Sequence, residues 1–286
     1  MLWFGAGRGE RSQAVSHILS SVIDEHHWQY RQWLAHAGSD EVQRQADALA
    51  VRRDMITLLA YTRDNKVVGT QSTGNMPLKS IREVTAAFVK PPELDTSIGD
   101  HVYKLRTEFD IWPLYFLHIV GVVGELLVTP VGGRWRVTPE GDAFLGFRSL
   151  DQILHLLYVW WFRVNWAIAH PFAGLGEMVP RELPNVTLNR LHSAPVGRRV
   201  EFEGFADALA KRAGLTWNAA AIDGPEGYLR WAIRHMVIEV AEDFGVVEPE
   251  LRETGRYLSP ELVAFRVTPF GRLLLTGLML LSSQTE

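Results

Sequence analysis

The chain has 286 residues, of which 47% are hydrophobic and 22% charged, and its formal net charge is -4. This length supports two domains, and the charge differs from the strongly basic balance of a dedicated nucleic-acid binder. Cysteine is absent, which excludes disulfides, thiolate metal sites and cysteine nucleophiles and favours a reducing compartment. No apolar run has the length of a secretory signal or of a membrane span, so we expect a cytoplasmic protein with no membrane partner.

Residues 1–53 are predicted to form an N-terminal helical segment. Gly38, Ser39 and Asp40 interrupt its helical pattern. The short polar side chains there can accept a backbone N–H of the next first turn, so they offer an N-cap for a helix from Glu41.

Residues 54–148 alternate helical patterns with short extended ones. We predict a helix from Met55, a short strand over Lys66–Thr70 and a helix over Leu78–Val89, which two prolines end. Asp100–Glu108 is predicted to be another helix.

A buried helix and a β-hairpin are predicted to follow. Ile111–Val123 contains no lysine or arginine, and a helix that is apolar on nearly every side is buried. It leads into Gly124–Leu145, where alternating apolar residues and Gly132-Gly133 predict a hairpin with a two-residue turn. Thr138 is placed to cap a further helix.

Residues 149–197 are predicted to bridge two domains. The segment begins with an aromatic-rich helix from Ser149 to about Ala169, and prolines and glycines over 170–197 then indicate a linker. Large aromatic residues are ordinary core material, although an aromatic cage or cofactor site is the alternative.

Residues 198–286 are predicted to form a second domain. Helices are expected over Glu201–Ala213 and Pro225–Phe244, followed by a hairpin whose strands are separated by a long polar loop over 248–260. The final apolar helix, Leu273–Leu281, fits either the core or a homodimer interface.

The ends of the two predicted domains share a motif. Val267–Gly271 reads VTPFG and Val137–Gly141 reads VTPEG. A motif that recurs in the same structural context indicates an internal duplication.

Met55–Phe88 and the two V-T-P-x-G endings resemble tandem winged-helix units. The order LLAY, TxxTGNMP and LKSIREV is similar to the winged-helix accessory region of XPB-type helicases and related bacterial proteins. The resemblance implies modules that bind DNA or dock proteins beside a separate motor. The predicted fold class is therefore mainly α with small β-hairpins. It contains two winged-helix-like units, or three if Thr70–Pro77 belongs to a degenerate one, joined by the aromatic-rich helix.

No catalytic, metal or cofactor site is predicted, because the sequence contains no P-loop, GxSxG, HExxH or dinucleotide motif. Glu108 and Asp110 are interpreted as solvated charges rather than as an acid and a base.

Two arginine pairs are candidate nucleic-acid contacts. Arg134 and Arg136 flank Trp135, so on a strand both arginines face one side and the tryptophan faces the other. Arg198 and Arg199 form a second basic pair. The alternative is that these arginines are only the polar face of a wing.

The apolar helix before the hairpin decides between the two predicted functions. In a winged helix this position belongs to the recognition helix, and an apolar helix cannot read bases in a groove. We therefore expect a non-enzymatic scaffold or adaptor that binds a protein partner, within a DNA-handling or regulatory complex. The alternative is a transcriptional regulator that contacts the backbone of duplex DNA through its wings.

Overall fold

The computed structural model describes residue 33, residues 37–98, 101–166, residue 169, and residues 179–215, 224–254 and 260–282. The chain divides into two compact units between Trp160 and Trp161, within the segment predicted to be a bridge. The described residues are mainly helical with small antiparallel sheets, which confirms this part of the predicted fold class. The helices predicted before residue 33 and residues 170–178 of the predicted linker lie outside the described residues. The rest of that linker, predicted over 170–197, contains the helix Leu183–Ser193, which buries Leu188 and Leu191, so the linker prediction is wrong there.

The first unit combines helices with two small sheets. Its described elements are α1 (Asp40–Ala48), α2 (Ala50–Asp64), α3 (Leu78–Thr85), β1 (Asp95–Ile98), β2 (His101–Lys104), a 3-10 turn (Glu108–Asp110), α4 (Trp112–Val123), β3 (Leu127–Val128), β4 (Arg136–Val137), α5 (Pro139–Leu145) and α6 (Ser149–Tyr158). A π-helical segment, Val159–Arg163, follows α6 across the boundary between the units. Residues 164–166 are not helical, so the helix predicted to about Ala169 ends earlier, at Arg163.

Two local predictions about this unit are confirmed. The Ser39 Oγ accepts the Val42 N–H at 3.4 Å, so Ser39 caps α1. Helix α4 is buried along almost its whole length, with Pro113 as its one exposed residue. The apolar sequence of α4 explains this burial, because no side of the helix gains from contact with water.

The helix predicted over 100–108 is wrong. β1 and β2 form an antiparallel hairpin in which Asp95 lies opposite Lys104 and Thr96 opposite Tyr103. β-branched and aromatic residues such as Thr96, Val102 and Tyr103 favour strands. The Asp95 carboxylate also accepts the Leu105 N–H at 3.1 Å, which holds the end of the hairpin together.

The predicted two-residue turn is also wrong. Seven residues, 129–135, separate β3 from β4, and of the two glycines only Gly132 has a positive φ, 63°. The residues before β4 pair with an earlier segment instead. The Trp135 N–H donates to the Val67 carbonyl at 3.0 Å and Val68 forms a β-bridge with Arg134. The segment predicted as a strand over 66–70 therefore lies beside this two-stranded sheet and joins it through a single β-bridge.

The second unit contains one three-stranded sheet among its described residues. Its elements are α7 (Leu183–Ser193), β5 (Arg199–Glu201), α8 (Phe202–Ala213), α9 (Gly224–Ile233), a π-helical segment (Arg234–Glu239), α10 (Val240–Asp243), β6 (Val247–Arg252), β7 (Glu261–Val267) and α11 (Pro269–Ser282). The strand order is β5-β7-β6, with antiparallel pairing throughout.

The second sheet is larger than the sequence predicted. Strand β6 continues to Arg252, so the loop predicted over 248–260 is shorter, and β5 was not predicted because three residues are too few to show a periodic pattern. Leu274, Leu275 and Leu278 of helix α11 are completely buried. Across the described ranges, no helix is both long and apolar enough to cross a membrane.

The V-T-P-x-G motif of the first unit forms a hydrogen-bonded corner. The Thr138 hydroxyl donates to the Glu125 carbonyl at 2.5 Å and accepts the Gly141 N–H at 2.9 Å. The Thr138 N–H donates to the Leu126 carbonyl at 3.1 Å. Glu125 adopts a positive φ of 62°, a conformation that costs energy for residues other than glycine. The motif thus joins the turn after α4, the end of β4 and the start of α5.

The second unit builds the same corner. The Thr268 hydroxyl donates to the Gly245 carbonyl and accepts the Gly271 N–H, both at 2.7 Å. The Thr268 N–H donates to the Val246 carbonyl at 3.0 Å, and Gly245 has a φ of 66°. The repeated sequence therefore produces the same hydrogen bonds in both units.

Candidate functional site

The segment before β4 presents the predicted arginine pair to water. Arg134 and Arg136 are exposed, whereas Trp135 between them is completely buried, which confirms the predicted alternation. The indole Nε1–H of Trp135 donates to the Gly74 carbonyl at 2.9 Å, and its ring lies 4.4 Å from that of His118. Trp135 therefore anchors the strand from inside and leaves both arginines on the outer face.

Two exposed valines lie opposite the arginines, one in β3 and one in the bridged segment before it. Val68 lies opposite Arg134 and Val128 opposite Arg136, and the valines are 40% and 43% exposed. Lys66, two residues before Val68, is exposed too and falls on the same side by strand periodicity. We call Lys66, Val68, Val128, Arg134 and Arg136 the outer sheet face.

The three cations of the outer sheet face have no carboxylate partner in the part of the chain that the structure describes. The ion pairs of the first unit lie elsewhere, for example between Arg52 and Asp47 and between Arg82 and Asp95. The outer sheet face therefore combines uncompensated positive charge with exposed apolar surface, a composition common at interfaces.

The second predicted arginine pair is divided by the structure. The Arg199 Nε donates to both carboxylate oxygens of Glu250 at 3.0 Å, and Arg199 also pairs with Glu201. Glu250 is shared with Arg266, at 3.1 Å. Hydrogen bonding and charge from Arg199, and then the charge of Arg266, lower the pKa of Glu250. Arg199 is thus not a free cation for phosphate, whereas Arg198 is exposed and forms no ion pair with a described residue.

The shared corner aligns the two sheets residue by residue. When Thr138 is matched with Thr268, Arg136 corresponds to Arg266. The residues opposite them are Val128 in the first unit and Glu248 in the second. The two sheets therefore have the same strand register but different chemistry on the outside.

The next matched pair of residues differs in the same way, with a valine in the first unit and a glutamate in the second. Val68 bridges Arg134 in the first unit, and Glu201 pairs with Ala264 at the matching position of the second. Both Val68 and Glu201 are exposed. The second unit thus carries acidic residues around its sheet arginines at positions where the first unit carries valines.

A buried polar group lies behind the outer sheet face. The His118 Nδ1 is 2.5 Å from the Glu108 Oε1, and the His118 Nε2 is 2.9 Å from the Thr129 hydroxyl. Glu108 is completely buried and its second oxygen accepts the Met76 N–H at 2.7 Å. Each polar group therefore has a partner, as buried groups require, and the contacts join the segment before α4 to the turn after β3.

The sequence interpretation of Glu108 as a solvated charge is wrong. Asp110, two residues away, does lie at the surface, where its carboxylate accepts the Arg106 and Thr107 N–H groups at 2.9 Å. The position of His118 ten residues later on an apolar helix is the only sequence signal that could have suggested a buried partner for Glu108.

The helical stretch over residues 224–243 precedes β6 in the second unit, as α4 precedes β3 in the first. It carries a 36% exposed tryptophan, Trp231. Its arginines are compensated, because Arg230 bonds to Asp207 at 2.8 Å and Arg234 to Glu239 at 2.9 Å. This helix therefore does not present a free basic row for nucleic acid.

Comparisons with known proteins identify no family for this chain. No protein-family model matches it, and searches of curated proteins and of solved structures gave no match either. Among the described residues, no three histidine, aspartate or glutamate side chains are grouped so that they could hold a metal ion. Function is therefore inferred from the chain's own surface.

Proposed function

We propose that the chain is a non-enzymatic, cytoplasmic scaffold or adaptor whose two units are winged helices, and that it binds a protein through the outer sheet face. The order of elements supports the winged-helix assignment. Each unit has a helix, a short extended segment, two helical stretches and two further strands, and in the first unit the β1–β2 hairpin is inserted between the two helical stretches. In both units the early extended segment pairs with the last strand or with the residues just before it.

The observation that carries the proposal is the exposed pair Arg134 and Arg136 beside Val68 and Val128. Arginine is enriched at protein interfaces because one side chain supplies several hydrogen-bond donors and a flat apolar surface. Helix α4 offers no competing surface, since it is buried. A protein partner can bury the valines and pair the arginines at the same time.

Photocrosslinking from the outer sheet face tests the proposal. A photoreactive phenylalanine analogue at Val68 or Val128 is expected to give discrete adducts in cells of the source organism. Arg134→Ser with Arg136→Ser should weaken them. Val102 is the matched control, because it is a 59% exposed valine on another hairpin of the same unit. If Val102 gives the same adducts, or Val68 and Val128 give none, the proposal is wrong.

Binding of duplex DNA is the second candidate function. Arg134, Arg136 and Arg198 are exposed and without ion pairs among the described residues, and guanidinium groups bind phosphates well. Contact with the DNA backbone requires affinity that falls steeply between about 50 mM and about 200 mM salt. The absence of binding to a duplex at low salt would exclude this function.

A further inference from the structure

We infer that the partner of the outer sheet face is an acidic segment in extended conformation, with two carboxylates spaced two residues apart that bind Arg134 and Arg136. This inference rests on the proposed function and adds the chemistry of the partner. It follows from the comparison of the two sheets, from the open edge beside Val68 and from the spacing of the arginines.

In the sheet of the second unit, carboxylates of the same sheet neutralise the arginines. Arg266, the counterpart of Arg136, bonds to Glu250 at 3.1 Å, and Arg199 on the neighbouring strand bonds to the same carboxylate at 3.0 Å. Glu201 supplies a further carboxylate to Arg199. Within the second unit, the acidic side chains that complete the face thus come from the sheet itself.

The first unit lacks these acidic side chains. Val68 stands in place of Glu201, and Pro130 falls at the place of Glu250 when residues are counted along the strand from the shared corner. Lys66 and Arg136 stand in place of Arg199 and Arg266, and Arg134 adds a third cation where the second unit has Ala264. No described residue supplies complementary charge to the first sheet, and a partner with carboxylates provides it.

The edge of the first sheet accepts an extended chain. The Gly69 N–H and the Val67 carbonyl bond inward to the segment before β4, whereas no backbone group of Val68 bonds to another described backbone group. Alternate residues of an edge strand direct their N–H and C=O groups outward, where they can pair with an added strand. An extended partner can thus bond to both the N–H and the C=O of Val68, whereas a phosphate only accepts hydrogen bonds and can bond to the N–H alone.

The spacing of the arginines sets the spacing of the carboxylates. Residues two apart on a strand point to the same face and are about 6.6 Å apart along it. Arg134 and Arg136 have this spacing, and so do glutamates or aspartates two apart in an extended partner. The valines beside the arginines favour apolar side chains next to the acidic ones, which also distinguishes this partner from a nucleic acid.

Two synthetic peptides of equal composition test the inference against the full chain. In one, two glutamates alternate with valine and threonine, and in the other the two glutamates are adjacent. By fluorescence anisotropy, the alternating peptide should bind about tenfold more tightly than its isomer, as expected when one charge-assisted contact is lost. Arg134→Ser with Arg136→Ser should weaken it by at least about tenfold.

Matched variants control for charge and for folding. Lys90→Ser with Arg106→Ser removes the same charge from other exposed positions of the first unit and should leave peptide affinity unchanged. Val68→Glu supplies the carboxylate that Glu201 provides in the second unit, and it should abolish binding while the circular dichroism spectrum stays that of the wild type.

The outcomes separate this inference from the proposed function. If the two peptides bind equally, or if the arginine variant keeps its affinity, the inference is overturned. Discrete adducts from the photoreactive residue at Val68 in cells would then still support the proposed function. If a duplex DNA binds in an Arg134- and Arg136-dependent way and neither peptide does, the partner is a nucleic acid and both proposals fail.

Discussion

The Nδ1 of His118 lies 2.5 Å from the Oε1 of Glu108 in the interior of the first unit. The carboxylate is completely buried, and the imidazole packs on Trp135, whose neighbours on the strand are the exposed arginines. The buried Glu108–His118 pair thus lies against Trp135, on the inner side of the strand segment that carries Arg134 and Arg136 on its outer side. A change on the inside should therefore affect the surface.

Removal of Glu108 should destabilise the first unit strongly. Glu108→Ala leaves His118 and the Met76 N–H without their buried partner, and such a loss costs about 3 kcal/mol of unfolding free energy. Urea unfolding followed by tryptophan fluorescence measures this change. Glu93→Ala is the control, because Glu93 is exposed and its replacement should change stability by less than about 0.5 kcal/mol. Equal effects of the two variants would contradict a stabilising role for Glu108.

The corner glycines should not tolerate a side chain. A Cβ on Gly141 would collide with the Leu126 carbonyl, and one on Gly271 would collide with the Val246 carbonyl. Each alanine variant should lose about 1–3 kcal/mol through overpacking. Gly204 lies near the start of α8 with open space around it, so Gly204→Ala should instead gain up to about 1 kcal/mol from higher helix propensity. Thermal unfolding of the three variants checks the opposite signs.

The outer arginines should matter for binding and not for folding. Arg134 and Arg136 make no ion pair with a described residue, so Arg134→Ser with Arg136→Ser should leave the unfolding free energy within about 0.5 kcal/mol of the wild type. Trp135→Phe should lower it by about 1–3 kcal/mol, because the Gly74 carbonyl loses its buried indole donor. Urea denaturation of both variants shows whether the arginines, like Trp135, contribute to the free energy of unfolding. A large loss in the serine variant would mean that these arginines support the fold.

The carboxylate cluster of the second sheet should make stability depend on pH. The pKa of Glu250 is lowered, chiefly by Arg199 and then by Arg266, so its ionised form stabilises the folded state. That contribution is present above about pH 4.3, the ordinary glutamate value, and is lost as pH falls through the lowered pKa. Glu250→Gln should therefore lower Tm at pH 7 and should differ less from the wild type near pH 3.

A matched glutamate controls for the general effect of acid. Glu253 is exposed directly after the end of β6 and forms no ion pair with a described residue. Glu253→Gln should leave Tm unchanged at both pH values. If Glu250→Gln and Glu253→Gln behave alike, the paired arginines do not contribute to stability.

Features that depend on neighbours within a few residues could be predicted from the sequence. The apolar composition of α4 predicted its burial, Ser39 and Thr138 predicted caps, and the order Arg134-Trp135-Arg136 predicted which side chains face water. The helix predicted over 100–108 failed because its residues also suit a strand, and pairing with β1 decided between the two.

The sequence by itself determined most of the helices, their caps and the two similar corners, because helix periodicity and capping act over short distances along the chain. Only the tertiary structure decided which charges remain free. Arg199 is compensated because folding brings Glu250 beside it, and Arg136 is not because Val128 lies opposite. Folding likewise brings the Glu108 carboxylate next to the His118 ring. Charge compensation depends on separations in space, and folding alone sets those separations.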